Sequence, residues 1–227
     1  MSNQDHTPDL HDSSPHRRCQ WGLYAIIDAA KAGQSHASVC KKLMDAGIRV
    51  VQLRDKTATF EELLEIGSEL RKITSAAGAA LIVNDNPYLA REIDADGVHI
   101  GQDDFPPDIV REVVGPDKIV GLSTHSKQQA IAATSWPIDY IGIGPVYPTT
   151  SKASEYKPVG TSLIRWARQH IPLPTVAIGG IAEDTIPDVL AAGATNVAMI
   201  GALMEAQDIS QRARELRELA DSYAEWK

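Results

Sequence analysis

The sequence has few cysteines and no long hydrophobic run, and each absence excludes a class of protein. Cys19 and Cys40 are the only cysteines and lack CxxC or Cys/His ligand spacing, so neither a disulfide framework nor a zinc site is expected. No run of about 18 apolar residues occurs, and Asp5, Asp9 and Asp12 interrupt the first twenty residues, which excludes a membrane span and a signal peptide. We therefore expect a cytoplasmic protein with reduced thiols.

The chain also lacks an excess of positive charge. Its formal net charge is -8, which argues against nucleic acid or an anionic membrane as a partner, so a phosphate site would need a local basic cluster. A length of 227 residues, with 43% hydrophobic and 23% charged residues, suits one α/β barrel. Residues 1–20 are polar and aperiodic, which predicts a flexible N-terminal tail before a single catalytic domain at 21–227. The oligomeric state stays open, including a homo-oligomer.

Short apolar or β-branched runs alternate with helical patterns from Trp21 onward, as expected for successive βα units around a parallel sheet. The eight predicted strands are Leu23–Ile27, Val50–Leu53, Ala80–Val83, Gly97–Ile100, Ile119–Leu122, Tyr140–Ile143, Thr175–Ile178 and Val197–Ile200. The helical segments between and after them are Ser35–Ala46, Phe60–Ala77, Pro87–Ile93, Asp108–Val114, Lys127–Thr134, Thr161–His170, Ala182–Ala192 and Ala206–Ala224.

Eight such units predict a (β/α)8 TIM barrel. The competing topology is a doubly wound open sheet, which also alternates strands and helices. It is disfavoured because no G-x-G-x-x-G follows the first strand. Polar residues also follow most strands instead of clustering at one switch point. In a barrel, the residues after every strand meet at one mouth, so the strand ends are where a site is expected.

A cluster of polar and basic residues ends the second strand. Its period-two spacing places Gln52, Arg54 and Lys56 on one side and Leu53 on the other. Helices should cover the outer side of the barrel, so the mouth is the less costly place for these charges. The planar fork of arginine and the point charge of lysine suit a phosphate or diphosphate.

Carboxylates follow the third and fourth strands, at Asp85 and Asp104. They could hold magnesium together with diphosphate oxygens, because this metal prefers carboxylate and phosphate ligands. Alternatively, Asp85 caps the helix that begins near Pro87, which requires no metal. His99 lies within its strand and is interpreted as a hydrogen-bonded core histidine rather than a catalytic base.

The later strands end in hydroxyls and glycines. Ser123 follows the fifth strand, and the segment from Gly144 to Gly160 is a long loop with hydroxyls and Lys152, interpreted as a lid over the site or as a disordered surface loop. Glycines close the last two strands, at Gly179 and Gly201, where backbone N–H groups can approach a phosphate closely. The alternative is glycine used only for tight turns. A basic site and a neutral one together suit a reaction that joins two phosphorylated partners.

In order along about residues 22–205, this series resembles the thiamine phosphate synthase family. The motifs that carry the resemblance are Gln52-Leu53-Arg54-Asp55-Lys56, Asn84-Asp85, Gly101-Gln102-Asp103-Asp104, Gly144-Pro145 through Lys152, and Val176-Ala177-Ile178-Gly179-Gly180-Ile181. The resemblance implies a magnesium-dependent (β/α)8 barrel that couples hydroxymethylpyrimidine diphosphate to thiazole phosphate, giving thiamine phosphate and diphosphate. It also implies a dissociative mechanism, in which diphosphate leaves before the thiazole nitrogen captures a pyrimidine methylene cation.

The same resemblance implies a role for each matching residue, with Asp85 and Asp104 as the metal ligands. The implied contacts to the pyrimidine diphosphate are Gln52, Arg54, Lys56, Asn84, Ser123 and Lys152, of which Arg54, Lys56, Ser123 and Lys152 would be catalytic. The implied contacts to the thiazole phosphate are Thr149, Thr150, Ser151, Gly179, Ile200 and Gly201.

Small departures from the family pattern accompany these matches. The family often has Glu at Asp55 and Asp103, Thr at Ser151 and Ser at Gly201. Gly201 keeps a backbone donor but lacks the hydroxyl, which puts thiazole phosphate affinity in question. Two other functions stay open, a thiazole tautomerase of the same superfamily and a non-catalytic barrel that binds a phosphorylated metabolite. The tautomerase would not need the basic and acidic residues of the diphosphate site together.

Overall fold

The predicted strands form a closed barrel of eight parallel strands, each paired with its neighbour in sequence, and the first paired with the last. The computed structural model describes residues 19–149 and 156–223. Its strands are β1 (Gly22–Ile27), β2 (Val50–Leu53), β3 (Ala80–Asn84), β4 (Gly97–Ile100), β5 (Ile119–Thr124), β6 (Tyr140–Ile143), β7 (Thr175–Ile178) and β8 (Asn196–Met199). The predicted (β/α)8 fold is therefore confirmed, with strand ends that differ by at most two residues.

Helices follow the strands and form the outer layer of the barrel. They are α1 (Ala29–Ala32), α2 (His36–Asp45), α3 (Phe60–Ala77), α4 (Pro87–Glu92), α5 (Pro107–Val114), α6 (Lys127–Ala133), α7 (Gly160–His170), α8 (Ile186–Ala191), α9 (Gly201–Met204) and α10 (Ile209–Tyr223), with a 3₁₀ turn at Glu183–Thr185 before α8. The sequence reasoning missed α1 and α9, because four residues are too few to show a helical period. None of the described helices has both the length and the apolar character of a membrane span.

The longest helix, α3, shows how local sequence sets these boundaries. Thr59 accepts a hydrogen bond from the Glu62 N–H at 3.2 Å, and the Glu62 carboxylate accepts one from the Thr59 N–H at 2.8 Å. This capping box satisfies two amide groups that a helix start leaves unpaired, and such a cap contributes about 1 kcal/mol. Gly78 ends the helix in the left-handed conformation at φ 67°.

Asn196, at the start of β8, holds the amino-terminal end of the barrel together. Its side-chain oxygen accepts from the N–H groups of Trp21 and Gly22, and its amide nitrogen donates to the Cys19 carbonyl at 2.8 Å. Cys19 is fully buried, although it falls within the stretch 1–20 that is predicted as a tail. Residues 1–18 lie outside the described part of the chain.

Aromatic side chains fill the barrel interior between this end and the mouth. The rings of Trp21, Tyr24 and Tyr140 meet edge to face, with centroids 5.5 to 6.4 Å apart. All three rings are buried, so the barrel has a packed interior and no open channel. The cavity above them is consequently confined to the carboxyl ends of the strands.

Candidate active site at the barrel mouth

One cavity of about 870 Å³ occupies the mouth of the barrel. Its lining comes from the carboxyl ends of the strands and the loops that follow them. Eleven of the predicted site residues line it: Gln52, Arg54, Lys56, Asn84, Asp85, Asp104, Ser123, Thr149, Gly179, Ile200 and Gly201. The other three, Thr150, Ser151 and Lys152, lie outside the described residues. Strand ends that are far apart in sequence thus contribute to a single concave site.

The polar side of β2 faces this cavity as its period-two spacing predicts. Gln52, Arg54 and Lys56 all line the cavity, while Leu53 packs in the core. The Arg54 side chain is only 11% exposed, and its Nη1 donates to Asp28 Oδ2 at 3.2 Å. Asp28 also caps α1 by accepting from the Lys31 N–H. This carboxylate therefore holds the guanidinium at the mouth, a role that the sequence reasoning did not assign.

Asp85 has a left-handed backbone, with φ 65°, directly after β3. Its N–H donates to the His99 carbonyl at 2.8 Å, and its Oδ2 lies 3.6 Å from Lys56 Nζ. The residue that caps α4 is Asn86, whose side chain accepts from the Leu89 N–H at 3.0 Å. The alternative in which Asp85 is the helix cap is therefore wrong. A strained backbone of this kind is common where a functional side chain must be presented.

The Asp104 carboxylate reaches back across the loop after β4 and accepts from the Gly101 N–H at 2.7 Å. Asp104 and Asp85 line the same cavity. Within residues 19–149 and 156–223, no three His, Cys, Asp or Glu side chains gather closely enough to hold a metal by themselves. Two carboxylates fit a magnesium ion whose other ligands are water and substrate phosphate oxygens, because this metal usually binds through one or two carboxylates.

His99 on β4 is both a hydrogen-bonded interior residue, as predicted, and part of the cavity wall. Its Nδ1 lies 2.9 Å from the Tyr140 hydroxyl, and its Nε2 lies 2.9 Å from Ser123 Oγ. The Tyr140 hydroxyl is in turn 3.2 Å from that of Tyr24, and Gln52 Nε2 donates to Tyr24 at 2.9 Å. Burial raises the pKa of both tyrosines, so both hydroxyls keep their protons.

The glycine-rich end of β7 packs directly against the loop that follows β6. The Val146 N–H donates to the Ile178 carbonyl and the Tyr147 N–H to the Gly179 carbonyl, each at 2.9 Å. Gly180 has φ 65°, and a Cβ on it would lie 2.4 Å from the Pro148 carbonyl oxygen. The glycines thus permit the β6 loop and the end of β7 to approach closely. Their role is therefore not limited to making a tight turn, as the alternative interpretation has it. No described residue accepts a hydrogen bond from the N–H of Gly180 or Gly201.

The structure adds residues to the site that sequence reasoning missed. Tyr24 lines the cavity, and so do His125 and Tyr156, whose rings stack with centroids 3.7 Å apart. Tyr24 carried a usable signal, since it occupies an inward-facing position in a strand that is otherwise apolar. The His125–Tyr156 stack carried none, because it joins the end of β5 to a residue 31 positions later in an irregular loop.

A closed (β/α)8 barrel whose mouth presents cations, carboxylates and glycine loops defines an enzyme of phosphorylated metabolites. The chain belongs to the thiamine monophosphate synthase family, whose model matches residues 23–203. It is 45% identical over 197 residues to a thiamine-phosphate synthase of Lawsonia intracellularis, covering 86% of this chain and 91% of that one. It is 42% identical over 200 residues to the thiamine-phosphate synthase of Chloroflexus aurantiacus, covering 88% and 92%.

A solved structure agrees with this assignment. The thiamine phosphate pyrophosphorylase of Pyrococcus furiosus superposes with a TM-score of 0.84 at 32% identity, covering 91% of this chain and 98% of that one. The match extends over the whole barrel and not over a single motif. The family and the fold expected from the strand-end motifs are therefore confirmed.

Proposed function

We propose that this member of the thiamine phosphate synthase family joins its two substrates in a mouth divided into a diphosphate half and a phosphate half. The observation that carries the proposal is the lining of one cavity by two unlike groups of residues. Strands β2 to β4 contribute Arg54, Lys56, Asp85 and Asp104, while the ends of β7 and β8 contribute glycines with backbone donors. The substrates are the pyrimidine diphosphate and the thiazole phosphate that the family couples.

The charged half would stabilise the leaving diphosphate. Arg54 is held by Asp28 and offers its remaining N–H groups to phosphate oxygens, while Lys56 adds a second positive charge beside Asp85. Charge on the diphosphate grows as the carbon–oxygen bond breaks, so these cations act mainly in the transition state. Lys152 is proposed as a further cation, and it lies outside the described residues.

Asp85 and Asp104 would hold the magnesium ion, which when bound neutralises negative charge on the diphosphate. The two carboxylates fit this role because both line the cavity. Asp85 is also oriented by its left-handed backbone and by the hydrogen bond from its N–H to the His99 carbonyl. The contact of Asp85 with Lys56 limits repulsion between the carboxylates and an incoming diphosphate.

The pyrimidine ring would lie over the polar residues in the middle of the cavity. Gln52 and Ser123 are both fixed by hydrogen bonds from below, and Asn84 ends β3 beside Asp85. The Ser123 hydroxyl would also donate to the diphosphate that the ring carries. The aminopyrimidine ring can itself delocalise the positive charge of the methylene cation once diphosphate has left. The residues around it consequently need to orient the ring, and no general base is required for bond formation.

The thiazole phosphate would bind at the other half of the mouth. Gly179, Ile200 and Gly201 would approach its phosphate with backbone groups, and Thr149 would add a hydroxyl. Thr150 and Ser151 are proposed partners outside the described residues. Both halves open into one cavity, so the thiazole nitrogen can reach the methylene carbon without either substrate leaving its site.

The metal role is tested by Asp85→Asn, which suits the left-handed backbone better than Ala. We expect thiamine phosphate formation to fall by about 10²–10³-fold, at a magnesium concentration that saturates the wild-type protein, because the metal that neutralises the leaving diphosphate loses one of its two carboxylate ligands. The matched control is Asp45→Asn, an exposed carboxylate at the end of α2. Product is measured by chromatography and diphosphate release by a coupled assay.

The same assay separates the coupling reaction from the other candidates. A folded wild-type protein that forms no thiamine phosphate from both substrates and magnesium would exclude the coupling reaction. Isomerisation of the thiazole phosphate alone would then favour the tautomerase. Asp85→Asn activity equal to that of Asp45→Asn would remove Asp85 from the metal site. A cytoplasmic location and the absence of nucleic acid and membrane partners remain predictions from the sequence.

A further inference from the structure

Five side chains form a continuous row of hydrogen bonds at the floor of the cavity, where all but Tyr140 line it. From one end, Gln52 contacts Tyr24 at 2.9 Å, Tyr24 contacts Tyr140 at 3.2 Å, and Tyr140 contacts His99 at 2.9 Å. The row ends where His99 contacts Ser123, also at 2.9 Å. Its members come from five strands, β2, β1, β6, β4 and β5, so the row crosses the barrel from one wall to the opposite wall. We call it the polar row.

Packing around the polar row fixes its rings in place. Trp21 contacts the edges of Tyr24 and Tyr140, and the His99 ring stacks on that of Tyr140 with centroids 5.4 Å apart. The Tyr140 ring fills the space that a side chain on Gly121 would need, since a Cβ there would lie 2.1 Å from Tyr140 Cζ. Both hydroxyls are therefore held at their hydrogen-bonding partners, and the buried tyrosines stay protonated.

Gln52 Nε2 donates to the Tyr24 hydroxyl, and this bond determines which atom is the donor in every other hydrogen bond of the polar row. Each tyrosine hydroxyl has a single proton. Tyr24 then donates to Tyr140, Tyr140 donates to His99 Nδ1, and His99 Nε2–H donates to Ser123. If Tyr140 donated to Tyr24 instead, the Tyr24 hydroxyl would accept two hydrogen bonds and its own proton would have no acceptor among the described residues. The Tyr24 side chain is buried, and an unsatisfied buried donor is costly.

We propose that Tyr24 and Tyr140 are positioning residues that order the protons of the polar row, making Gln52 Oε1 an acceptor and the Ser123 hydroxyl a donor toward the substrate. The proposal deepens the proposed function and depends on it for the substrate's identity. A diphosphate offers only acceptors, so it requires the Ser123 proton to point into the cavity. The amino group of the pyrimidine ring is a donor, so it requires an acceptor at Gln52.

The two ends are coupled through the row. Turning the Gln52 amide over would reverse every bond, so that Ser123 donates to His99 and presents only lone pairs to the cavity. A ligand that places acceptors at Ser123 and a donor at Gln52 matches the order in which Gln52 Nε2 donates to Tyr24. With the Gln52 amide turned over, the same ligand would meet an acceptor at Ser123 and a donor at Gln52, and would be mismatched at both ends. The polar row thus discriminates against ligands with the opposite arrangement, without Tyr140 touching them.

The proton order can be measured without substrate or turnover. In ¹⁵N-histidine-labelled protein, two-bond ¹H–¹⁵N correlations at pH 7.5 are expected to show His99 protonated at Nε2 and unprotonated at Nδ1. His99→Asn identifies the signals by their loss. In Tyr140→Phe the donor to Nδ1 is gone, so a mixture of tautomers is expected. A wild-type ring protonated at Nδ1, or at both nitrogens, would overturn the proposal.

Binding of inorganic diphosphate with magnesium tests the effect at Ser123. Ser123→Ala and Tyr140→Phe should each raise the dissociation constant by about 10-fold or more, because a hydrogen bond to a charged group is weakened or lost. The double variant should be no weaker than Ser123→Ala, since Tyr140 acts through Ser123. The control is Thr124→Val, which removes a buried hydroxyl next to Ser123 on β5 that donates to the Gly142 carbonyl of β6.

The outcomes separate this inference from the proposed function. Additive losses in the double variant would show that Tyr140 acts independently of Ser123. An equal loss in Thr124→Val would show a general loss of stability, and either result would overturn the inference. If wild-type protein binds diphosphate but makes no thiamine phosphate, the proposed function fails, while the tautomer and binding results still decide the inference. The predicted tautomer together with non-additive binding losses would support it.

Discussion

The close packing of the β6 loop against β7 can be measured with a matched pair of glycine substitutions. Gly180 and Gly78 have nearly the same left-handed backbone, with φ 65° and 67°. Their surroundings differ. A Cβ on Gly180 would lie 2.4 Å from the Pro148 carbonyl oxygen and 2.8 Å from the Tyr147 backbone, whereas a Cβ on Gly78 would have no heavy atom within 4 Å among its described neighbours.

Both Gly→Ala changes carry the same backbone cost and the same gain from a less flexible unfolded chain. The left-handed conformation costs a non-glycine residue about 1–2 kcal/mol, and Gly78→Ala should lose no more than this. Gly180→Ala adds an overpacking cost of about 1–3 kcal/mol, because the atoms that must move belong to backbone. We therefore expect the second variant to be less stable than the first by about 1–3 kcal/mol.

Equilibrium unfolding in urea, with both variants compared at pH 7.5, measures this difference directly. The site gives an independent readout, since the displaced β6 loop carries Thr149 at the cavity. The KM for the thiazole phosphate should rise in Gly180→Ala and stay unchanged in Gly78→Ala. Equal loss of stability in both variants, together with an unchanged KM, would refute the packing argument.

Two further predictions concern charged pairs on the outer side of the diphosphate half. Asp28→Asn keeps the cap of α1 but gives the Arg54 guanidinium a neutral amide oxygen in place of a carboxylate, so kcat/KM should fall by about fivefold, equivalent to about 1 kcal/mol. An unchanged kcat/KM would show that Arg54 needs no anchor. Burial lowers the pKa of His36 despite Asp55 Oδ2 at 3.3 Å and the charge of Asp28, so folding opposes its protonation. Stability should therefore fall as the pH drops below 6.5, and His36→Gln should flatten that slope between pH 7.5 and 5.5 in urea titrations. Equal slopes in both proteins would contradict this assignment.

The barrel could be predicted from sequence because its strands are nearly continuous apolar runs. Val50–Leu53, Gly97–Ile100 and Tyr140–Ile143 were predicted with the bounds that the structure has. Parallel strands buried on both faces leave such runs, and the helices between them keep a clear period. The predicted site residues within the described part of the chain also line the cavity, since every strand end of a barrel opens onto the same mouth.

What the sequence could not give are contacts between strands that are distant along the chain. Asp28 and Arg54 are 26 residues apart, and Tyr24 and Tyr140 are 116 apart, so no local spacing links them. The left-handed backbone of Asp85 was equally hidden, because Asp and Asn stand side by side there and either could have capped α4. Only the three-dimensional arrangement assigns the cap to Asn86 and leaves Asp85 to face the cavity.

These hidden contacts support the residues of the mouth from below and behind. Asp28, directly after β1, accepts a hydrogen bond from Arg54, and the His99 carbonyl accepts one from the Asp85 N–H. Within the polar row, Gln52 is held by Tyr24 and Ser123 by His99. His99 thus touches both the polar row through its ring and the proposed metal ligand through its backbone. Because the side chain and the carbonyl belong to one residue, a displacement of His99 would disturb both the polar row and the backbone acceptor of Asp85. We therefore interpret β4 as the element that ties orientation of the pyrimidine ring to the diphosphate half of the site.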